Sequence, residues 1–539
     1  MFMSLTLEHR VSLVDELLVE QAQLGTAVMR FSDWHDRQHD GEPQTAAPLQ
    51  ERFYKKLIPL GKPRSGEQYA FEVNLDQCTG CKACVVACHS LNGLDEHESW
   101  RDVGLMVSKL PKPYVQTVTT ACHHCADPAC ANGCPVLAYE KDAETGIVRH
   151  LDDQCIGCAY CMMKCPYDVP KWNGKRGIVR KCDMCYQRLA VGEAPACVQA
   201  CPSEAISIRI VNVEEVKQQS MQPGMRILPQ AFPSNYTKPA TRYISTRDVP
   251  LMAQDSGAGE LKLEEAHWPL AWMLVLTQMA AGLFTAACIL PPESGMKWVN
   301  WLAAPVLGIG IGLSVMHLGQ PLRAWRCFLG LRKSWLSREI VVFGGFMKAA
   351  VLAALWPHGL TTGLAAMAGM AGVYCSVMVY ADTQRLFWRI NRTAWAFFGN
   401  ALLMGSVGAA AVLSWGTPTE AAIHLAFAAT LIRTLMFTRY WMSLQRALRD
   451  ESDEQHRPAR TMHALKRGVL MARAFLFTIA TVTGLAGMMN AAGAAGIWAT
   501  LSCLTTFAMQ LLERHLFFVA VDAPRVVSGS GPQLHHPTP

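Results

Sequence analysis

Beyond residue 265 the chain runs through eight apolar stretches, each long enough to cross a bilayer, at about 269–290, 299–318, 339–357, 360–381, 394–414, 420–438, 468–490 and 495–512. Before residue 265 the pattern is different. Short apolar segments alternate with turn residues, and most of the acidic residues lie there. A soluble domain followed by a membrane domain is expected. Residues 216–265 hold Pro, Gln, Ser and Gly without a sustained apolar period, so they read as a linker and docking strap. At the start, Val11, Val14, Leu18 and Ala22 recur at helical spacing between acidic residues. They predict an amphipathic helix within an extension over 1–66. Residues 526–539 read as a disordered tail after a membrane domain at 266–525.

Charge orients this picture. The loops between spans two and three, four and five, and six and seven are rich in arginine, whereas those on the other face carry only Lys297. With eight spans, the basic face is also the face of the N-terminal domain. The positive-inside rule then places that domain in the cytoplasm, on an inner membrane. The net charge of +6 is too small to point to nucleic acid. Glu8, Asp15, Glu16 and Glu20 interrupt any apolar core in the first thirty residues, so these do not read as a signal peptide.

Sixteen of the twenty cysteines crowd into 78–201. They form Cys78-x2-Cys81-x2-Cys84-x3-Cys88, Cys122-x2-Cys125-x4-Cys130-x3-Cys134, Cys155-x2-Cys158-x2-Cys161-x3-Cys165 and Cys182-x2-Cys185-x11-Cys197-x3-Cys201. The last three groups are each followed by proline. This is the bacterial ferredoxin run written four times. A disulfide framework belongs to small secreted domains. Zinc sites favour paired CxxC units, and only the fourth group looks like that. Four [4Fe–4S] clusters are expected, within a domain over 67–215.

At these residues the sequence resembles a known family. The stretches CTGCKACVVAC, CHHCADPACANGCP, CIGCAYCMMKCPY and KCDMCYQR are similar to the four-cluster electron-transfer subunit of dimethyl sulfoxide reductase and related molybdopterin oxidoreductases. HLGQPLRAWRCFLGLRKSWLSREI, with HWPLAWMLVLTQ and LLERHLFF, resembles the membrane anchor of the same family. The resemblance implies a fusion of two subunits: a double ferredoxin-like α+β domain followed by an all-α eight-helix transmembrane bundle. It also implies crossed ligation. Cys78, Cys81, Cys84 and Cys201 hold one cube, and Cys182, Cys185, Cys197 and Cys88 hold its neighbour. Cys122, Cys125, Cys130 and Cys165 hold a third, and Cys155, Cys158, Cys161 and Cys134 the fourth. The implied partners are a molybdopterin-containing catalytic subunit, the membrane lipid and the quinone pool, with menaquinol as the electron-carrying substrate.

His317 ends span two and Glu339 begins span three, both at the membrane boundary facing the cluster domain. Such a pair suits the protons that accompany quinol electrons, and the matching residues of the anchor family are implicated in menaquinol binding. Haem needs histidines within the spans, but His317, His424 and His515 lie toward span ends, so no haem is expected. Lys348, mid-way along span three, is a candidate for a proton path. Arg433, about one turn from the end of span six, reads as a snorkelling side chain. Cys288, Cys327, Cys375 and Cys503 read as small buried hydrophobes. There is no G-x-G-x-x-G, P-loop or catalytic triad. The protein is therefore expected to be a redox subunit whose own half-reaction is quinol oxidation. The alternative is a membrane transporter or sensor controlled by its clusters.

Overall fold

A computed structural model describes residues 19, 27–39, 49–96, 98–109, 113–291, 295–415, 419–453, 455–489, 494–521 and 524–527. The amphipathic helix expected around Val11–Ala22 and the tail from residue 528 lie outside the described residues.

The cysteine-rich half is a small α/β domain. Two short helices, α1 (Ala27–His39) and α2 (Leu49–Phe53), precede strand β1 (Glu67–Asn74). Next come α3 (Ala83–Asn92), β2 (Asp102–Ser108), β3 (Tyr114–Thr120), α4 (Ala129–Gly133), β4 (Tyr139–Lys141), β5 (Val148–His150) and α5 (Tyr160–Lys164). Then follow β6 (Lys171–Asn173), β7 (Ile178–Arg180), α6 (Tyr186–Ala190), α7 (Ala196–Gln199), β8 (Ile206–Asn212) and α8 (Val213–Ser220). Strand β1 pairs antiparallel with β8, from Glu67↔Asn212 to Val73↔Ile206. Strand β2 pairs antiparallel with β3, from Asp102↔Thr120 to Ser108↔Tyr114. The remaining strands form the hairpins β4–β5 and β6–β7. Each of α3, α4, α5 and α7 carries ligand-type cysteines, and α3 packs on α7 while α4 packs on α5. Asn212 caps α8 by accepting the backbone N–H groups of Glu214 and Glu215 at 2.9 and 3.1 Å.

The stretch after α8 contributes to both sheets. β9 (Arg242–Ile244) runs parallel to β1, and β10 (Gln254–Asp255) pairs antiparallel with β2.

From Trp268 onward the chain is helical: α9 (Trp268–Ala287), α10 (Lys297–Met316), α11 (Trp335–Leu355), α12 (Gly359–Ala381), α13 (Ile390–Leu413), α14 (Glu420–Arg449), α15 (His456–Leu465), α16 (Arg467–Met489) and α17 (Ala495–Val519). Seven of the described helices are long and apolar enough to cross a membrane. Helix α11 covers the third expected span and has the length, but Arg338, Glu339 and Lys348 all fall on it. The most buried helix is α9, which packs on α10, α12, α13 and α17. It begins with Pro269 in its first turn, where the missing N–H removes no helical bond.

Candidate functional site

Thiols of all four sequence groups gather in sets that cross those groups. Cys134, from the second group, lies within electrostatic reach of Cys155, Cys158 and Cys161 of the third. Cys165, from the third group, lies among Cys122, Cys125 and Cys130 of the second. Cys88 neighbours Cys185 and Cys197, and Cys201 neighbours Cys84. None of the twenty cysteines is in a disulfide. Among the described residues, no group of three or more His, Cys, Asp or Glu is gathered tightly enough for a single metal ion. Burial pushes the thiols of Cys84 and Cys165 up to about 11. Thiolates in such places need positive charge among them, which iron supplies.

The protein supplies some of that charge itself. Arg101 is 2% exposed and lies over Phe71, with its guanidinium donating to Thr119 Oγ1 at 3.0 Å. Burial works against its charge, but the surrounding Cys197, Cys84, Cys182 and Cys88 thiolates raise its pKa overall. Buried Lys181 donates to the Cys182 carbonyl at 2.7 Å and faces Cys122 Sγ at 3.6 Å. Neither residue is legible in the sequence as a site residue. Arg101 follows no motif, and Lys181 is marked only by preceding Cys182.

The third cysteine group meets the membrane domain directly. Helix α5 carries Cys161 and ends just before Cys165. Its Tyr160 is buried in the same apolar cluster as residues of α9, α11, α12 and α13, and its hydroxyl donates to the Val379 carbonyl at 2.8 Å. Lys164, 4% exposed, donates to the Asp382 carboxylate at 2.6 Å. Arg385 caps the end of α5 through the Met162 and Met163 carbonyls at 3.2 and 3.1 Å.

The loop between α10 and α11 clasps the same region from the side. Gly319 N–H donates to the Gly157 carbonyl at 3.3 Å and Gln320 N–H to Ile156 at 3.0 Å. Arg323 donates to the Asp152 and Cys155 carbonyls, both at 3.1 Å. Gly330 N–H donates to Pro135 at 2.8 Å, and Ser334 Oγ to Gly133 at 2.7 Å. The loop touches so closely that a Cβ on Gly330 would stand 2.7 Å from the Cys134 and Pro135 carbonyl oxygens. Cys327 comes from this loop and is 4% exposed in the cluster that holds Cys134, Cys155 and Cys161. Its burial there agrees with its reading as a small buried hydrophobe. Cys288 is exposed rather than buried.

Glu339 sits in the second turn of α11, 5% exposed, and accepts a hydrogen bond from Ser376 Oγ of α12. Its partner is that hydroxyl and not an arginine: Arg338 turns away, donating to the Leu331 and Arg332 carbonyls at 3.1 and 2.8 Å. Tyr160 lies within electrostatic reach of Glu339. His317 caps α10, half-buried, with its Nδ1 2.5 Å from the Ser314 carbonyl. Among the described residues no hydrogen bond joins His317 to Glu339. Lys348 is exposed on the outside of the bundle, so it lines no interior path. Arg433 departs from its expected place. Helix α14 continues well past the apolar stretch to Arg449, leaving Arg433 near its middle and 1% exposed. Hydropathy falls before the helix ends, which is why the sequence put Arg433 close to a boundary.

Residues 114–210 match the 4Fe-4S dicluster domain family, and residues 264–519 match the DMSO reductase anchor subunit (DmsC) family. The protein is 36% identical over 183 residues to the B subunit of the anaerobic dimethyl sulfoxide reductase of Haemophilus influenzae, covering 32% of the present sequence and 87% of that subunit. It is equally identical, over 184 residues, to the B subunit of the Escherichia coli reductase, covering 32% and 86%. Identity to the thiosulfate reductase electron transfer subunit PhsB of Salmonella typhi is 36% over 154 residues, covering 28% and 80%. This protein belongs to the family of dimethyl sulfoxide reductase B subunits. Its second half adds the anchor, so the two are fused in one polypeptide. The family identifies a multi-pass electron-transfer and membrane-anchor protein, and the expectation of a transporter or sensor gains no support from these relatives.

Proposed function

We propose that the protein passes electrons between menaquinol and a separate molybdopterin-containing catalytic subunit through four [4Fe–4S] clusters, ligated in the crossed pattern set out above. In this reading α11 completes an eight-span anchor at 266–525, and the iron–sulfur domain at 67–215 faces the cytoplasm. The segment 216–265 fastens the two. The observation that carries the proposal is Tyr160. The helix that bears Cys161 drives this side chain into the bundle core beside Glu339. The cluster held by Cys155, Cys158, Cys161 and Cys134 is therefore the one that meets the quinol. Bound there, a cubane supplies one-electron carriage. The protein's own residues do the rest. Glu339, buried with a hydroxyl as its only hydrogen-bond partner among the described residues, takes a proton from quinol. His317, at the end of α10, takes the second or orients the ring, and apolar walls keep bulk water out.

Stopped-flow reduction by a menaquinol analogue tests this. Glu339→Gln should leave iron content unchanged and slow reduction at least about tenfold, the scale for losing a positioned acid or base. His317→Ala should do the same and weaken binding of quinone-site inhibitors. Lys348→Met, on the outer face, should reduce at the wild-type rate. A wild-type rate for Glu339→Gln would place the quinol elsewhere.

A further inference from the structure

The crossed ligation proposed above joins the first cysteine group with the fourth and the second with the third. The two joined halves touch at one point in the interior. Cys182, of the fourth group, has Cys122 of the second as its strongest charged neighbour. Cys122 and Cys165 also pack in one apolar cluster with Cys84, Cys88, Cys182 and Cys197, whereas Cys134, Cys155 and Cys161 pack in another. An electron that crosses from one half to the other has its shortest covalent surroundings here, between the Cys122 and Cys182 sets.

Lys181 occupies this meeting point. It directly follows strand β7 and is 2% exposed. Its Nζ donates to the Cys182 carbonyl at 2.7 Å and to the Val148 carbonyl of β5, and it faces Cys122 Sγ at 3.6 Å. An ammonium has three N–H groups and no lone pair. Three acceptors around Nζ match that form, whereas a neutral amine would turn a lone pair on one of them. Two of the acceptors are backbone carbonyls, which hold Nζ in place. The Val148 side is itself fixed, because its N–H donates to Nδ1 of fully buried His124 at 3.1 Å. The His124 carbonyl in turn accepts from Gln68 Nε2 at 2.7 Å.

A buried ion is a costly way to join β5 to the Cys182 loop. A side-chain amide would donate to the same carbonyls without the desolvation of a charge. The charge has an electrical use instead. Cys122, Cys130 and Cys182 act on the ammonium more strongly than the Asp183 carboxylate does, so it looks toward two ligand sets at once. Each electron taken up adds one negative charge to a set. A fixed cation beside the sulfur favours that state, and the dry interior screens it little. Because Lys181 stands between two sets, it favours an electron on either of them and biases neither. Arg101 differs: the thiols around it all come from the first and fourth groups, so it acts within one half.

We propose that Lys181 is the electrostatic bridge between the two halves of the iron–sulfur domain, and that its charge raises together the reduction potentials of the clusters held by the Cys122 and Cys182 sets. The inference rests on the four-cluster reading above. The test is a potentiometric titration of the full-length protein followed by electron paramagnetic resonance, with Cys81→Ser, Cys125→Ser, Cys158→Ser and Cys185→Ser assigning the four signals. Lys181→Met removes the charge and the donors, and Lys181→Gln keeps donors without the charge. Each should make the Cys122 and Cys182 clusters harder to reduce by at least about tenfold, about 59 mV for a one-electron carrier. The other two clusters should stay where they are, and Lys175→Met, at the surface, should move none. Iron content should match wild type throughout. Should Lys181→Met lose iron, Lys181→Gln alone decides. Iron loss from both would make Lys181 an assembly residue and overturn the proposal. Unmoved potentials in an iron-replete variant, or an equal fall in all four clusters, would also overturn it. Wild-type potentials in Lys181→Gln beside lowered ones in Lys181→Met would assign the effect to hydrogen bonding and overturn the role of charge. A wild-type protein without four such signals would overturn the four-cluster reading itself, and this inference with it.

Discussion

Arg101 and Lys181 show what single residues do in the cysteine-rich domain. Each is a buried cation whose desolvation is offset chiefly by thiolates, with backbone carbonyls and Asp183 adding to the balance at Lys181. Arg101 stands among thiols of the first and fourth groups, Cys84, Cys88, Cys182 and Cys197, and this binds those two groups into one electrostatic unit. Cys201 belongs to the same unit through Cys84, although more than a hundred residues separate them. Cys201→Ser should therefore damage the cluster of the first group and leave those of the second and third groups intact. Electron paramagnetic resonance of the reduced protein, with iron analysis, reads this directly. Loss of a signal belonging to Cys155, Cys158 and Cys161 instead would refute the crossed ligation.

Short elements set the distance between the two halves, and here sequence and structure part company. The cysteine spacing alone picks out the residues we propose as ligands, because a cluster demands fixed spacing. Glu339 could be placed from its position at the start of a span, although its partner, Ser376, could not: the meeting of α11 and α12 depends on packing that no local pattern encodes. The clasp was equally hidden. Besides the Arg323 and Ser334 side chains, its contacts run from backbone N–H groups of Gly319, Gln320 and Gly330 to backbone carbonyls of the cysteine loops, and backbone hydrogen bonds leave no trace in residue type. What the sequence does offer is glycine where two backbones meet. Gly330→Val would force side-chain atoms into the Cys134 and Pro135 carbonyls. The expected outcome is normal membrane insertion and iron content, faster proteolysis within 318–334, and at least about tenfold slower quinol-driven reduction, since the ligand loop loses its fixed seat. Proteolysis and reduction at wild-type levels would show that the loop tolerates displacement.

At the scale of the whole molecule the open question is which way the protein faces, and the structure sharpens the argument from charge. Several arginines on the domain side of the bundle are engaged by the iron–sulfur domain: Arg323 by Asp152 and Cys155, Arg326 by Asp153, and Arg385 by Met162 and Met163. Their position is explained by docking, so they say little about topology. Setting them aside still leaves Arg332, Lys333, Arg446, Arg449, Arg460 and Arg467 exposed on that side, against Lys297 alone on the other. Positive residues in short loops resist translocation, and six against one is a strong bias. This bias supports our proposal that the domain side is the cytoplasmic side; α17 ends on the same side, at Val519 beside Glu264 of the strap. A reporter active only in the periplasm, fused after residue 527, should be silent, while the same reporter inserted between α13 and α14 should be active. The reverse pattern would show that docking to the iron–sulfur domain, rather than translocation, had set the whole distribution of arginines.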